Sequence, residues 1–583
     1  MPKAFSDQRA AGPRLIDRLH ARLAAHARPA TAFVQQPEPR TVGAFTRGRQ
    51  LLAGNLLFGG HLVEAPETLL WDVTAPDPVF AAECHGFGWL DDLAAIGDAA
   101  ARETAQAWLW AWIDRFGKGR GPGWTPDLTG RRVIRWIHHA VFLLRGVTPE
   151  QSRAYFAALA AQTLFLARRG ARAAPGLPRF EALTGLVYAS LALEGMEDHA
   201  TGAIAGLGAD CARLIDEQGG IPTRNPEELL EVFTLLSWAL AAIEESGRRP
   251  DAAHRTAIER IAPTLRSLRH ADGGLARFHG GGRGLEGRLD QALAASGVRR
   301  KRREGLAMGF ARLAAGRTTV IIDAAPPPKG ALAGQAHASS TAFELTSGRR
   351  PFIVSCGSGV SFGAKWRRAG RATPSHSTLC LDGTSSARLT KSKGKRNDRT
   401  ERLDAGPARV PVQFDRRAEG HRIEIGHDGY VSGYGLTHAR SLMLSLDGRA
   451  LEGEEYLVAL ERSDKKTFDA ALDRTRLAGV PFRVHFHLHP DVDVALDMGG
   501  TAVSMALRSG EIWVLRSEMG TEITLEPSVY LEKGRLRPRA TKQVVLSGRA
   551  MEYATRIRWS LAKAQDTAIA VRDLSRDEVD VTS

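Results

Sequence analysis

Two histidines stand at the mouths of short apolar runs within residues 334–383. His337 precedes the run at 342–345, and His376 precedes the run at 379–381. A third run, 352–355, lies between them. Imidazoles placed this way can move protons or bind a transition metal. Two alone do not complete a zinc site. A carboxylate or a thiolate normally joins them, and Cys356 and Cys380 are the nearest thiols in sequence. The pair therefore has two open readings: metal ligands, or hydrogen-bonded partners where two domains meet.

A second group is Arg224 with Glu228, four residues apart at the start of a helical pattern. That spacing lets them pair on one face. A carboxylate there serves as a general base if desolvation raises its pKa, and is otherwise half of a surface ion pair. A third group is Trp124, Arg132, Trp136, His138 and His139. Indole faces stack on sugars, and guanidinium grips a carboxylate with two hydrogen bonds. Core packing accounts for Trp136 equally well. His485, His487 and His489 share one side of a strand pattern, but about 7 Å separates successive Cα atoms on one side, too far to chelate one ion.

The elements that must position these groups change character along the chain. Residues 1–84 read as a helical arm and a mixed, turn-rich segment, with Leu15, Leu19 and Leu23 in register on one short basic amphipathic helix. A basic amphipathic helix can lie on a membrane, but this one reads rather as a packed terminal helix. Residues 85–303 read as amphipathic helices separated by Gly/Pro-rich loops, an array of helical hairpins curved into a toroid. Residues 304–583 alternate apolar and polar side chains in many short runs. Phe482, Val484, Phe486 and Leu488 face one way, and Arg483 and the three histidines face the other. That is the pattern of an antiparallel β-sandwich, so the fold class is α+β, an (α/α) toroid followed by a sandwich. The basic run at 299–304 reads as a solvated linker, and residues 390–404 as a polar surface loop.

With 583 residues, 43% hydrophobic and 25% charged, the chain is long enough for more than one domain with ample core. The net charge of +14 favours a polyanionic partner. No aromatic–basic interleaving of the single-strand-binding kind accompanies it, so nucleic acid is not expected. Four cysteines without CxxC spacing suit a reduced compartment. No run approaches a membrane span, and the N-terminal stretch lacks the apolar core of a secretory signal, so the sequence by itself reads as cytoplasmic. Nucleotide-binding and hydrolase motifs are missing from any convincing context.

Several segments carry a likeness beyond pattern. They are AHASSTAFEL from Ala336, the GSG of residues 357–359, SHSTLCLDG from Ser375, and GPGWTPDLTGRRVIRWIHHA at 121–140. To these add GLPRFEALTGLVYASLALEG at 176–195, DEQGGIPTRNPEELLEVFTLL at 216–236, GHDGYVSGYGLTHAR at 426–440 and HFHLHPDV at 485–492. Together, across roughly residues 85–560, they resemble the heparinase II/III family of polysaccharide lyases. The resemblance implies β-elimination on an acidic, uronate-containing polysaccharide. That reaction needs a group to neutralise the C5 carboxylate, a base for the adjacent proton and an acid for the leaving oxygen.

Position by position, the family's catalytic His falls on Gln335, and the second His of that motif on His337. The Asp expected on the next strand falls at Ser355, and the later His at His376. The family's Tyr position falls on Glu228, and no Asn follows Gly176. The resemblance thus implies a reassigned catalytic set drawn from His337, His376, Glu228, His138 and His139. Trp124, Arg132, Trp136, Arg224 and Gln335 become the implied substrate contacts. No cofactor is required. The one implied metal is a structural zinc on His337 and His376. The family is usually exported to the cell envelope, an address different from the one the N-terminus suggests. Two functions are implied: a lyase, or a catalytically inactive glycan-binding or assembly protein on the same fold.

Overall fold

The computed structural model describes residues 12–26, 30–35, 38–299, 302–390, 401–518 and 520–564. Most of the basic loop read at 390–404, and Arg300 and Lys301 of the basic run, lie outside these residues.

The first half is helical. Capping residues set the starts: Asp77 accepts from the amide of Phe80, Asp98 from Ala101, and Asn225 from Glu227 and Glu228. Inside the toroid an aromatic core forms from Phe87, Trp89, Trp112, Trp124 and Trp136, all buried. Trp136 stacks on Tyr155 with centroids 5.6 Å apart. The helices Pro126–His138 and Leu177–Ala192 cross with almost no space between backbones. A Cβ at Gly130 would sit 2.2 Å from the carbonyl oxygen of Glu181, and one at Gly185 would sit 2.5 Å from the Cα of Gly130. Backbone atoms on both sides cannot yield locally. Gly130→Ala is therefore expected to destabilise by about 1–3 kcal/mol through overpacking, read as a lower urea midpoint at unchanged slope.

The second half holds two eight-stranded antiparallel sheets. One runs, in hydrogen-bonded order, from Val412–Arg416 at one edge to Asp493–Asp497 at the other. The other runs from Glu522–Tyr530 through Arg539–Ala550, Val480–Leu488, Arg350–Val354, Phe343–Ser347 and Thr318–Asp323 to Phe310–Ala315. Leu379–Leu381 also pairs with Val480–Leu488. The alternation read in 482–489 is realised: Phe482, Val484, Phe486 and Leu488 join the sandwich core with Phe343, Trp513 and Trp559. Between the sheets, Glu455 is fully buried with Arg440 and His438, and Trp559 Nε1 also donates to it.

The N-terminal helix is packed, as expected, but not by its apolar stripe. The N-terminal helix Leu15–Ala24 does pack on the helix Pro149–Arg169. Its inward residues, however, are Asp17, Ala21 and Ala24, with Asp17 pairing Arg169 at 2.8 Å. Leu15, Leu19 and Leu23 are 82%, 56% and 51% exposed. A periodic apolar stripe identifies a helix but does not say which side its neighbour covers. Here a buried ion pair and two alanines set the docking side.

Candidate functional site

The seam between toroid and sandwich is built around one carboxylate. The strand Thr318–Asp323 ends on Asp323, which is fully buried. Its Oδ1 pairs with Arg224, and its Oδ2 accepts 2.6 Å from the hydroxyl of Ser339. His279 Nε2 lies 3.4 Å from Oδ2, at ion-pair distance but without the direction of a hydrogen bond. Burial on its own would raise the Asp323 pKa. Arg224, then His279 and Ser339, overcome that and hold the carboxyl far below its ordinary value.

Arg224 precedes the helix Pro226–Glu245 and crosses into the sandwich. Its guanidinium donates to the carbonyls of Met308, Gly309, Ala325 and Pro326, at 2.9–3.3 Å, and lies 4.7 Å from the centre of the Phe310 ring. Strained backbone surrounds this group. Arg224, His279, Met308 and Thr341 all have left-handed φ values, between 48° and 71°. Each touches the Asp323 cluster: two by side chain, Met308 through its carbonyl to Arg224, and Thr341 by its amide to the Asp323 carbonyl.

Behind Asp323 the histidines form a chain. The amide of His337 donates to His279 Nδ1 at 3.1 Å, and the amide of Gly280 donates to His337 Nε2 at 3.0 Å. The rings of His337 and His376 lie 5.0 Å apart. His376 Nδ1 shares a 3.1 Å hydrogen bond with Ser355, and its ring stacks on Phe278. Both histidines have zero exposure. Burial, reinforced by charge repulsion from neighbouring histidines, lowers both pKa values, His376 to about 3. These rings are neutral and sealed from any polysaccharide.

The zinc expectation meets the same geometry. His337 Nδ1 and His376 Nε2 are buried without partners among the described residues, as two free donor atoms would be. The expected third ligand is Ser355, a neutral hydroxyl already bonded to His376. Cys356 Sγ contacts His487 and Ser528 instead. Among the described residues no group of three or more His, Cys, Asp or Glu side chains converges as a metal site. This donor set does not fit a closed zinc centre.

Other expected site residues fall elsewhere. Trp124, Arg132 and Trp136 are core residues rather than substrate contacts, with zero exposure. The Arg132 guanidinium is occupied by Gln162, the carbonyls of His85 and Gly123, and the Trp112 face at 4.2 Å. His138 is wedged edge-on against Tyr188 and Trp238, and burial lowers its pKa to about 3. His139 bonds Asp91 and Thr41, each at 3.0 Å. Arg224 pairs with Asp323 and not with Glu228. His485, His487 and His489 are held by Gln543, by Ser528 with the Pro374 carbonyl, and by Asp491 respectively.

What reaches the lip of the seam is a smaller, polar set. Glu228 is half-buried, takes a 3.1 Å hydrogen bond from Thr223, and sits 3.8 Å from where a Cβ on Gly176 would lie. Gln335 is half-buried against Gly280, and Asn225 lies against Gly281. Glu227 bridges the Gly282 amide and Lys533, tying the sandwich loop after Tyr530 to the toroid. Sequence reasoning did not single out Asp323, His279, Glu227 or Lys533. The run His279-Gly280-Gly281-Gly282 was the available signal, since three glycines after a polar residue permit close backbone approach.

Comparison with known proteins agrees with this architecture. Residues 297–560 match the heparinase II/III-like, C-terminal family. FtsZ-localized protein C of Caulobacter vibrioides is 31% identical over 548 residues, spanning 92% of this chain and 91% of its own. A crystal structure of heparinase III superposes with TM-score 0.68 at 12% identity, covering 93% of this chain and 88% of that one. The heparan sulfate lyase HepC mutant from Pedobacter heparinus gives 0.57 at 14% identity, covering 94% and 88%. No described helix is long and apolar enough to cross a membrane.

Proposed function

The chain belongs to the heparinase II/III-like family, and from that premise we propose that this polysaccharide-lyase-like protein binds an acidic glycan at its seam without cleaving it. The observation that carries this reading is the protonation chemistry of the site. β-Elimination needs a base within reach of the C5 proton. The position at which the family resemblance places that base is Gln335, an amide with no titratable proton. The histidines nearby are sealed and neutral. The basic balance of the chain, +14, supports an anionic ligand. The likeness to FtsZ-localized protein C over nearly the whole length supports an assembly role at the place that name records. A fluorescent fusion imaged beside labelled FtsZ is expected to coincide with it.

One observation favours a second reading, that of an active lyase. Among the expected catalytic residues, Glu228 alone stands at the lip, half-buried, where a carboxylate base would be useful. One experiment separates the two. The protein is incubated with a panel of uronate polysaccharides while the ultraviolet absorbance of the unsaturated product is followed. Glycan retention is measured in parallel. We expect a flat trace with glycan bound. A rising trace that Glu228→Gln abolishes would sink the binding-protein reading and establish Glu228 as base.

A further inference from the structure

The lip of the seam is acidic where an anionic ligand would have to enter. Glu227 and Glu228 stand in the first turn of the helix Pro226–Glu245, and Asn225 and Gln335 beside them are neutral. Among the residues placed at the lip above, Lys533 is the one cation, and Glu227 already holds it. Lys533 comes from the other half of the molecule, on the loop between Glu522–Tyr530 and Arg539–Ala550. The root of that loop is fixed. The Leu531 amide donates to the Cys356 carbonyl, and the Leu531 carbonyl accepts from Arg277 at 2.9 Å. Its tip crosses to the toroid, where a Cβ on Gly282 would lie 3.2 Å from Lys533 Cδ. The Gly282 amide donates, at 2.8 Å, to the same Glu227 oxygen that Lys533 contacts. Glu227 therefore keeps a donor when Lys533 turns away.

From this arrangement we propose that Lys533 receives the carboxylate of a uronate unit at the seam, and that Glu227 is a built-in competitor for it. The inference rests on the glycan reading above and adds the exchange that governs it. The Lys533 and Glu227 side chains are 43% and 22% exposed. An ion pair so open to water contributes little, so a second carboxylate replaces Glu227 on the ammonium at small net cost. No proton moves: the ligand oxygen accepts from Lys533 Nζ, and Glu227 stays on the Gly282 amide. An ammonium suits the task, because its three rotatable donors on a flexible stem follow the incoming group. Selectivity follows from the same exchange. A sugar hydroxyl is an uncharged and weaker acceptor than Glu227 and does not displace it. Glu227 and Glu228 also repel an anionic unit whose charge is not seated on Lys533. The lip thus admits one anionic unit at one place, rather than gathering polyanions along its length.

The test follows, by fluorescence anisotropy, the binding of an end-labelled oligogalacturonate to the full chain, beside its methyl ester, which keeps the sugars and removes the charge. The acid is expected to bind and the ester is not. Lys533→Gln should weaken binding of the acid about two- to fivefold, and Glu227→Gln should tighten it by a similar factor, the span of an exposed ion pair. In the double variant the gain from Glu227→Gln should shrink, because no ammonium is left to release. Glu244→Gln makes the same charge change near the far end of the same helix, about 25 Å away, and should leave the affinity as it is. Glu227→Gln keeps an oxygen for the Gly282 amide, so thermal unfolding of these variants should follow wild type. If the wild type binds and either Lys533→Gln or Glu227→Gln leaves the affinity unchanged, the exchange is overturned and the glycan reading stands. Equal tightening by Glu244→Gln assigns the effect to net charge and also overturns it. If neither the wild type nor Glu227→Gln binds the acid, both the inference and the glycan reading fall.

Discussion

Asp323→Ala is expected to lower the stability of the whole chain by about 3–5 kcal/mol, the cost of leaving a buried charge without its partner. The Arg224 guanidinium would keep its four carbonyl acceptors but lose its counter-charge, in a place where water does not reach. Ser339 would lose its acceptor, and His279 the negative charge 3.4 Å from its Nε2. The double variant Asp323→Ala/Arg224→Met should recover part of the loss, because removing both charges removes the uncompensated one. Recovery is incomplete, since the carbonyls of Met308, Gly309, Ala325 and Pro326 then lose a shared donor. Urea unfolding of the two single variants and the double reads the coupling directly. A shift below about 1 kcal/mol in Asp323→Ala would show that the seam does not rest on this carboxylate.

Acidification should destabilise the protein from about the ordinary histidine pKa downward, well before carboxylates are protonated. His85, His138 and His376 are each lowered from 6.5 to about 3, and His485 and His487 from 6.5 to about 4, with burial the largest cause in every case. A group with a depressed folded pKa binds its proton in the unfolded chain first. Stability is therefore full above pH 6.5 and falls as pH drops toward the folded values. Each such histidine contributes about 1.4 kcal/mol per pH unit across its window. Several titrate together, so the melting temperature should drop steeply between about pH 6 and pH 4. Replacing His138, whose nitrogens have no partner among the described residues, by Phe should flatten that slope by one histidine's share. An unchanged slope in His138→Phe would mean that this ring already takes up a proton in the folded state.

The fold was legible because its signals are local. Period-two alternation in 482–489 fixes which side chains face the core, and the run at Leu379–Leu381 is a strand in the structure with the same bounds. The site was less legible because its decisive contacts are remote. Arg224 and Asp323 are 99 residues apart, and nothing near either names the other. The i, i+4 spacing pointed Arg224 toward Glu228, but its left-handed backbone sends the side chain across the seam. Trp124, Arg132 and Trp136 have the chemistry of a sugar site and the burial of a core. Residue type alone does not separate the two, and only the packing of neighbouring helices does. The outward leucines of the N-terminal helix teach the same lesson in reverse: period without partner gives no direction.

The four left-handed residues around Asp323 have a mechanical consequence. Each holds about 1–3 kcal/mol of backbone distortion, and all four meet at Asp323 or its partner Arg224. The joint between the two halves therefore resembles a cocked catch more than a glued surface. While the catch is set, the joint is rigid. Once it slips, the recoil of four turns helps drive the halves apart, so the gap between closed and open is narrower than the number of bonds across it suggests. Gln335 stands beside that catch, against Gly280, whose amide donates to His337.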